Sequence, residues 1–205
     1  MSNLEIFNVD QGSDAWLECR RGIPTASRFA DVLAKGQGIT RRKYLLTLAG
    51  EAITGEVADS YSNAHMERGH AMEADARNLY AFARDVEPEL VGFMRRGRAG
   101  ASPDSLIGAD GLLEIKSKLP HLLLDVLDKG KLPAEHVAQV QGQLWVSGRD
   151  WCDFVAYWPK LPLFHVRVER DEAYIATLSQ AVADFVGELD TYIKRYGPAQ
   201  HQDAA

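Results

Sequence analysis

Residues 101–118 read ASPDSLIGADGLLEIKSK, and the pairing of this stretch decides how the rest of the chain is read. Leu106 and Ile107 precede a Gly108-Ala109-Asp110-Gly111 turn, and Leu112, Leu113 and Ile115 follow it. Short apolar runs around a D-G turn predict a β-hairpin. Residues two apart on a strand share a face, so Glu114 and Lys116 point together while Ile115 points into the core. Opposed residues of an antiparallel pair also share a face. A two-residue loop at Asp110-Gly111 would set Asp104 opposite Ser117 and Glu114 opposite Ile107, leaving the two carboxylates on opposite faces. An odd loop, Gly108 to Asp110, sets Asp104 opposite Glu114 with Cα atoms roughly 4.5–5.5 Å apart. Convergence of the carboxylates therefore requires an odd turn, or a bend at Ser102-Pro103-Asp104, where proline favours edges and bulges.

The 205 residues suffice for one domain with a substantial core, and neither an internal repeat nor a low-complexity linker divides them. A single domain over 1–205 is expected, with a frayed tail from about Gly197. Hydrophobic content of 46% and charged content of 25% are ordinary for a globular protein. No apolar run reaches the ~18 residues that would cross a bilayer, and Met1–Asp10 lacks a signal-peptide pattern. Two cysteines, Cys19 and Cys152, suggest neither a disulfide framework nor a zinc site. A cytoplasmic protein is the expectation. The net charge of −6 argues against a protein that coats nucleic acid by bulk attraction. Local basic clusters remain at Arg20, Arg21 and Arg28, at Arg41–Lys43, and at Arg95, Arg96 and Arg98.

Ser13 or Asp14 is placed to cap a short helix through Trp16 and Cys19 that ends at Gly22. Pro24-Thr25 then opens a second helix carrying Phe29, Val32 and Leu33, and a third is expected over about 40–53. A longer helix over about 66–84 has an expected buried stripe of Met72, Ala76, Leu79, Tyr80 and Ala83, with Glu73 at its edge. Leu90–Met94 reads as a strand, Arg95–Arg98 as a basic turn, and 121–131 as helix or loop. A helix over 134–146 turns Val137, Val140 and Leu144 inward and Gln139 and Gln143 to another side. Strands follow at 151–158 and 163–170, then a helix with Leu178, Val182, Phe185, Val186, Leu189 and Ile193 inward. The order predicts an α/β (α+β) fold with a mixed central sheet of four or five strands flanked by helices.

The residues alone allow two readings of Asp104, Glu114 and Lys116. In one they are a turn residue and an exposed strand pair, since an isolated E-x-K is common. In the other, two carboxylates supply hard oxygen ligands suited to Mg²⁺. The metal then polarises a phosphodiester and activates water, and Lys116 orients or deprotonates that water and offsets transition-state charge. Glu73 would complete a second metal position about 3.5–4 Å away.

Four motifs stand in order along the chain: GSDAWLECRRGIPTAS, RGHAMEADAR, SPD followed by LEIK, and HVAQVQGQLWV. Together they resemble the lambda-exonuclease / YqaJ viral recombinase family of the PD-(D/E)-x-K nucleases, over about Gln11 to Leu178. The resemblance implies a restriction-endonuclease-like core. It implies a Mg²⁺-dependent exonuclease, with Mn²⁺ a substitute and two ions per site, that digests one strand of linear duplex DNA from the 5′ end. A 3′ single-stranded overhang for phage-type homologous recombination would remain. It also implies a homotrimeric ring around DNA and a single-strand annealing protein as partner. By motif, Asp104, Glu114, Glu73 and the Ile115 backbone carbonyl resemble the metal ligands, and Lys116 the catalytic lysine. Arg20, Ser27 and Ser102, with Gln139 facing the site, resemble a 5′-phosphate pocket, for which an arginine fork and hydroxyl donors are chemically apt. The spacing to Gly22 favours Arg20 over Arg21. Met66 stands where the family has an apolar wedge that splays the terminal base pair. An endonuclease or nickase of the same chemistry, and a catalytically silent DNA-binding recombination module, are the alternatives.

Overall fold

The computed structural model describes residues 3–34, 39–57 and 64–198, with the side chains of 64–71 excepted. The chain begins with β1 (Leu4–Phe7) and α1 (Asp14–Arg20). Ser13 caps α1, its Oγ accepting from Trp16 N at 3.2 Å. The expected second helix is divided. Thr25 stays extended and bridges Gly100, so only a 3-10 turn (Ala26–Arg28) and the short α2 (Phe29–Leu33) follow it. Helices α3 (Ile39–Thr54) and α4 (Ala64–Arg84) come next.

Five short strands then run in close succession: β2 (Pro88–Glu89), β3 (Phe93–Arg96), β4 (Ala99–Ala101), β5 (Ser105–Ile107) and β6 (Gly111–Ser117). Helices α5 (Pro120–Lys129) and α6 (Ala134–Ser147) carry the chain over to β7 (Trp151–Tyr157). Strand β8 (Phe164–Glu169) and the closing helix α7 (Glu172–Tyr196) complete the order. The main sheet has the order β2-β5-β6-β7-β8, with β6 and β7 parallel and the other pairs antiparallel. A parallel pair needs a long crossover, and α5 and α6 supply it. A second sheet, β1-β3-β4, stands apart.

The strand expected at Leu90–Met94 begins only at Phe93, and Leu90–Gly92 instead link β2 to β3, which belong to different sheets. Between them Gly92 passes so close to the N-terminal segment that a Cβ would lie 2.1 Å from Val9 O, which only glycine tolerates. The expected basic turn also shrinks. Arg95 and Arg96 belong to β3, where Arg95 Nε donates to Glu5 and Arg96 Nε to Val146 O at 2.8 Å, leaving Gly97-Arg98 as the turn.

The main sheet is covered on both faces. Leu112, Phe154 and Ala156 pack with Leu123, Val140, Leu144, Leu178 and Phe185 in the larger core cluster. On the opposite side Ile107, Leu113, Ile115, Val155 and Tyr157 pack with Met72, Ala76 and Tyr80 of α4. The buried stripe of α4 is narrower than expected. Its contact line follows 72, 76 and 80, so Leu79 remains 47% exposed and Ala83 is exposed. A buried polar knot also holds α4 to the sheet. Asp153 accepts from Tyr80 Oη at 2.6 Å and from both Nε and Nη2 of Arg167 at 2.8 and 2.9 Å. Among the described residues no helix is long and apolar enough to cross a membrane.

Candidate active site

The hairpin pairs Ser105 with Leu113, Leu106 with Leu112 and Ile107 with Gly111, so Gly108–Asp110 form an odd, three-residue loop. Continuing this register sets Asp104 opposite Glu114, as convergence of the carboxylates demands. Asp104 N donates to Leu113 O at 3.0 Å, and its Oδ2 accepts from Ile115 N at 2.5 Å. The turn is fixed from outside by Arg149, whose Nη1 donates to Gly108 O at 2.8 Å and Gly111 O at 2.7 Å. Gly108 takes a left-handed φ of +54°, which suits glycine. Gln11 holds the bend before β5, donating to Val91 O at 2.9 Å and Pro103 O at 3.0 Å.

Glu114 is buried, and its carboxylate is held on both oxygens. Gln139 Nε2 and Lys116 Nζ reach Oε1 at 2.5 and 2.6 Å, and Gln143 Nε2 reaches Oε2 at 2.6 Å. Burial acts to lower the Lys116 pKa, but Glu114, Asp104 and Glu73 outweigh it, so the group is held above its ordinary range as an ammonium. Glu73 is paired with Arg77, whose Nε also donates to Ser105 Oγ at 3.1 Å. Ser105 Oγ in turn donates to Asp104 O at 2.5 Å, so Glu73 and Asp104 are joined through two side chains. Both line a cleft of ≈ 540 Å³ whose rim includes Asp10, Gln11 and Glu89.

The second group of expected residues lies along β4 and α1. Trp16 Nε1 donates to Ser102 Oγ at 2.9 Å, and the Arg20 guanidinium lies 3.7 Å from the Trp16 ring centroid. Burial lowers the Arg20 pKa, against the attraction of Tyr44 and Glu51. Arg21 is directed elsewhere, to Glu18 and to Gly55 O at 3.0 Å, so the two arginines have different partners. Ser27 is exposed on the 3-10 turn, with its Oγ 3.3 Å from Thr25 Oγ1, and the Thr25–Gly100 bridge brings that turn to the strand leading to Ser102. Gln139 sits on Glu114 rather than in this group. The side chain of Met66 lies outside the described residues.

Gln143, Arg77 and Trp16 join the expected residues. The sequence pattern gives Gln143 only a side of its helix, Arg77 no role and Trp16 a place in a short helix. For Gln143 the signal was present in its i, i+4 spacing from Gln139, which puts both amides on one helical face.

Among the described residues no three His, Cys, Asp or Glu side chains already stand together at metal-ligand spacing. The chemistry of the donors still fits a hard divalent ion. Burial, Glu114 and Glu73, in that order, push the Asp104 carboxyl well above its ordinary range, against Lys116 and the Ile115 N–H. The part of that shift due to neighbouring carboxylates is one a bound cation would offset, and oxygen donors are what Mg²⁺ prefers.

The sequence model of the YqaJ-like viral recombinase domain matches residues 15–150. The chain belongs to this family. It is 36% identical to LHK-Exo, solved in complex with dAMP, with a TM-score of 0.83 over 89% of this chain and 95% of that one. A second structure of LHK-Exo, an alkaline exonuclease from Laribacter hongkongensis, gives 34% identity, a TM-score of 0.81 and the same coverage. A phage-related exonuclease from Haemophilus somnus, at 15% identity and a TM-score of 0.66 over 84% of this chain and 96% of that one, shares the fold. ExoD of Escherichia coli K12 is 30% identical over 69 residues, 32% of this chain and 79% of that protein. The architecture of this YqaJ-like chain is that of the restriction-endonuclease-like exonucleases, and family and likeness together support a DNA exonuclease role.

Proposed function

We propose that the protein is a Mg²⁺-dependent 5′→3′ exonuclease that digests one strand of linear double-stranded DNA and leaves a 3′ single-stranded overhang for homologous recombination. The observation that carries this reading is the odd hairpin register, which puts Asp104 and Glu114 on one face with Lys116 beside them. Asp104, Glu114, Glu73 and the Ile115 carbonyl would hold two Mg²⁺ ions, or Mn²⁺ in their place, which when bound supply Lewis-acid polarisation of the phosphate and an activated water. Gln139 and Gln143 fix the Glu114 carboxylate so that its oxygens need no reorganisation during reaction. Lys116, held as an ammonium, donates to phosphoryl oxygen and offsets the charge that builds there, rather than serving as a base.

Arg20, Ser27 and Ser102 would receive the 5′-phosphate. The Trp16 ring braces the Arg20 guanidinium, and a braced planar fork suits a phosphate. Each cut exposes a new 5′-phosphate, which the same pocket attracts, so digestion proceeds in one direction. Met66 would act as the wedge at the terminal base pair. A homotrimeric ring, a single-strand annealing partner and a cytoplasmic location complete the proposal. The test compares linear with covalently closed circular duplex, with and without Mg²⁺. Loss of linear duplex alone, and only with metal, is expected. Cleavage of the closed circle would indicate an endonuclease or nickase, and metal-independent binding without cleavage would indicate a silent module.

A further inference from the structure

Lys118 and His136 lie beside the carboxylate site and have no part in the chemistry above. The β6–β7 ladder continues one residue beyond the strand, with Lys118 N donating to Tyr157 O at 3.1 Å. Lys118 thus shares a face with Lys116, roughly 6.6 Å away at the rise of a strand. That spacing matches neighbouring phosphates along one nucleic-acid strand. The Lys118 side chain is only 13% exposed, yet its partner Glu135, whose Oε1 lies 3.1 Å from Nζ, is 62% exposed. A largely buried lysine normally has a fixed counter-charge. Here the cation is held by the fold, and its counter-charge is an exposed surface side chain.

His136 occupies the same corner. Its ring packs 5.1 Å from the Phe154 ring, and its Nε2 is buried with no hydrogen-bond partner among the described residues, 3.8 Å from Glu135 Oε1. Burial first, then the charges of Lys118 and Lys116, lower its pKa to about 4, so the ring is neutral near pH 7 and can offer an Nε2–H. A built-in ammonium, an unused buried donor and a removable carboxylate are the parts of an anion seat with an internal occupant.

We propose that Lys118 and His136 form a second phosphate seat for the DNA backbone next to the phosphate that is cut, and that Glu135 occupies it until DNA displaces it. This rests on the nuclease reading and adds a contact to it. Holding the adjacent phosphate would align the strand across the carboxylates and steady it between successive cuts.

The test measures binding of 5′-phosphorylated duplex to the full chain in EDTA over a range of salt concentrations, with folding of each variant checked by its melting curve. Lys118→Gln should weaken binding and reduce the slope of log K against log salt by about 0.9, one phosphate contact. Glu135→Gln should tighten binding by about two- to fivefold, the scale of an exposed ion pair, and lose that gain in the Lys118→Gln background. His136→Phe keeps the ring stack and should weaken binding. An unchanged slope for Lys118→Gln, or a Glu135→Gln gain that survives without Lys118, overturns the seat while leaving the nuclease reading intact. A wild-type chain that neither binds nor cuts duplex overturns both. A deoxynucleoside 5′-monophosphate is titrated in parallel, and variant effects confined to it would overturn the assignment to backbone phosphate.

Discussion

Asp153→Asn offers the sharpest test of how the fold holds the helix that bears Glu73. The Asp153 side chain is 0% exposed and carries a bidentate bond from Arg167, a bond from Tyr80 Oη, and His165 Nε2 at 3.2 Å. Breaking a buried ion pair by removing one partner costs about 3–5 kcal/mol. The lower end applies here, because Arg167 is 42% exposed and its guanidinium rehydrates when released. Tyr80→Phe deletes a single bond to a charged group and should cost about 1.5–3 kcal/mol. The double variant should fall short of the sum, since both changes remove the same Tyr80–Asp153 bond. The pH dependence has a definite sign. Burial would raise the Asp153 carboxyl, but the bonds from Arg167 and Tyr80 and the nearby His165 ring outweigh it and hold the carboxyl well below the ordinary range. A depressed carboxyl contributes stability that is complete above its unfolded pKa, about 3.9, and is lost as pH falls toward the folded value. The difference between wild type and Asp153→Asn should therefore be constant near neutrality and shrink below about pH 4. Urea unfolding from pH 7 to pH 3, with equal m-values as the check on comparable unfolding, measures this. A loss under about 1 kcal/mol at pH 7, where the buried pair predicts about three times that, would refute the reasoning. So would a gap that persists unchanged into acid.

Other perturbations probe the site itself. Lys116→Ala should abolish cleavage while duplex binding in EDTA persists, and retained turnover would remove its catalytic role. Arg20→Gln should erase the preference for 5′-phosphorylated over 5′-hydroxyl ends, read as the ratio of initial rates on the two substrates. Arg149→Ala removes two bonds to the hairpin turn and should cost about 1–3 kcal/mol in urea unfolding, with activity falling as the Asp104–Glu114 register loosens.

The hairpin was legible because its apolar runs and glycine turn marked it, and convergence of Asp104 and Glu114 reduced its register to an odd turn or a bend, of which the odd turn is observed. The helices were legible where caps and periodicity agreed, as at Ser13 and along α7. The second sheet was not, and the reason is physical. Strand β4 reads Ala-Gly-Ala, with too little side chain to show a period, because Phe93 lies over it; a Cβ on Gly100 would sit 2.2 Å from Phe93 Cζ. Strand β1 is only Leu4–Phe7 and half exposed, so its pattern is too short to stand out. Helix α6 hid Gln143 differently. From Val140 to Leu144 every residue is buried, so hydrophobic periodicity could not separate a core face from a site face. Gln141 shows the consequence, its amide spent on Glu169 O and Asp171 N at 2.9 Å each, while Gln143 two residues on serves Glu114. Trp16 and Arg77 were hidden because their partners, Ser102 and Ser105, are brought to them only by tertiary folding.

Directional, metal-dependent digestion from a 5′ end is read by strand-specific labelling. A linear duplex with a 5′-phosphate carries one label at the 5′ end and another at the 3′ end of the same strand. With Mg²⁺, the account predicts early release of the 5′ label while the 3′ label stays in a shortening strand, and no release in EDTA. Early release of the 3′ label, or release of either label without a divalent ion, would contradict it.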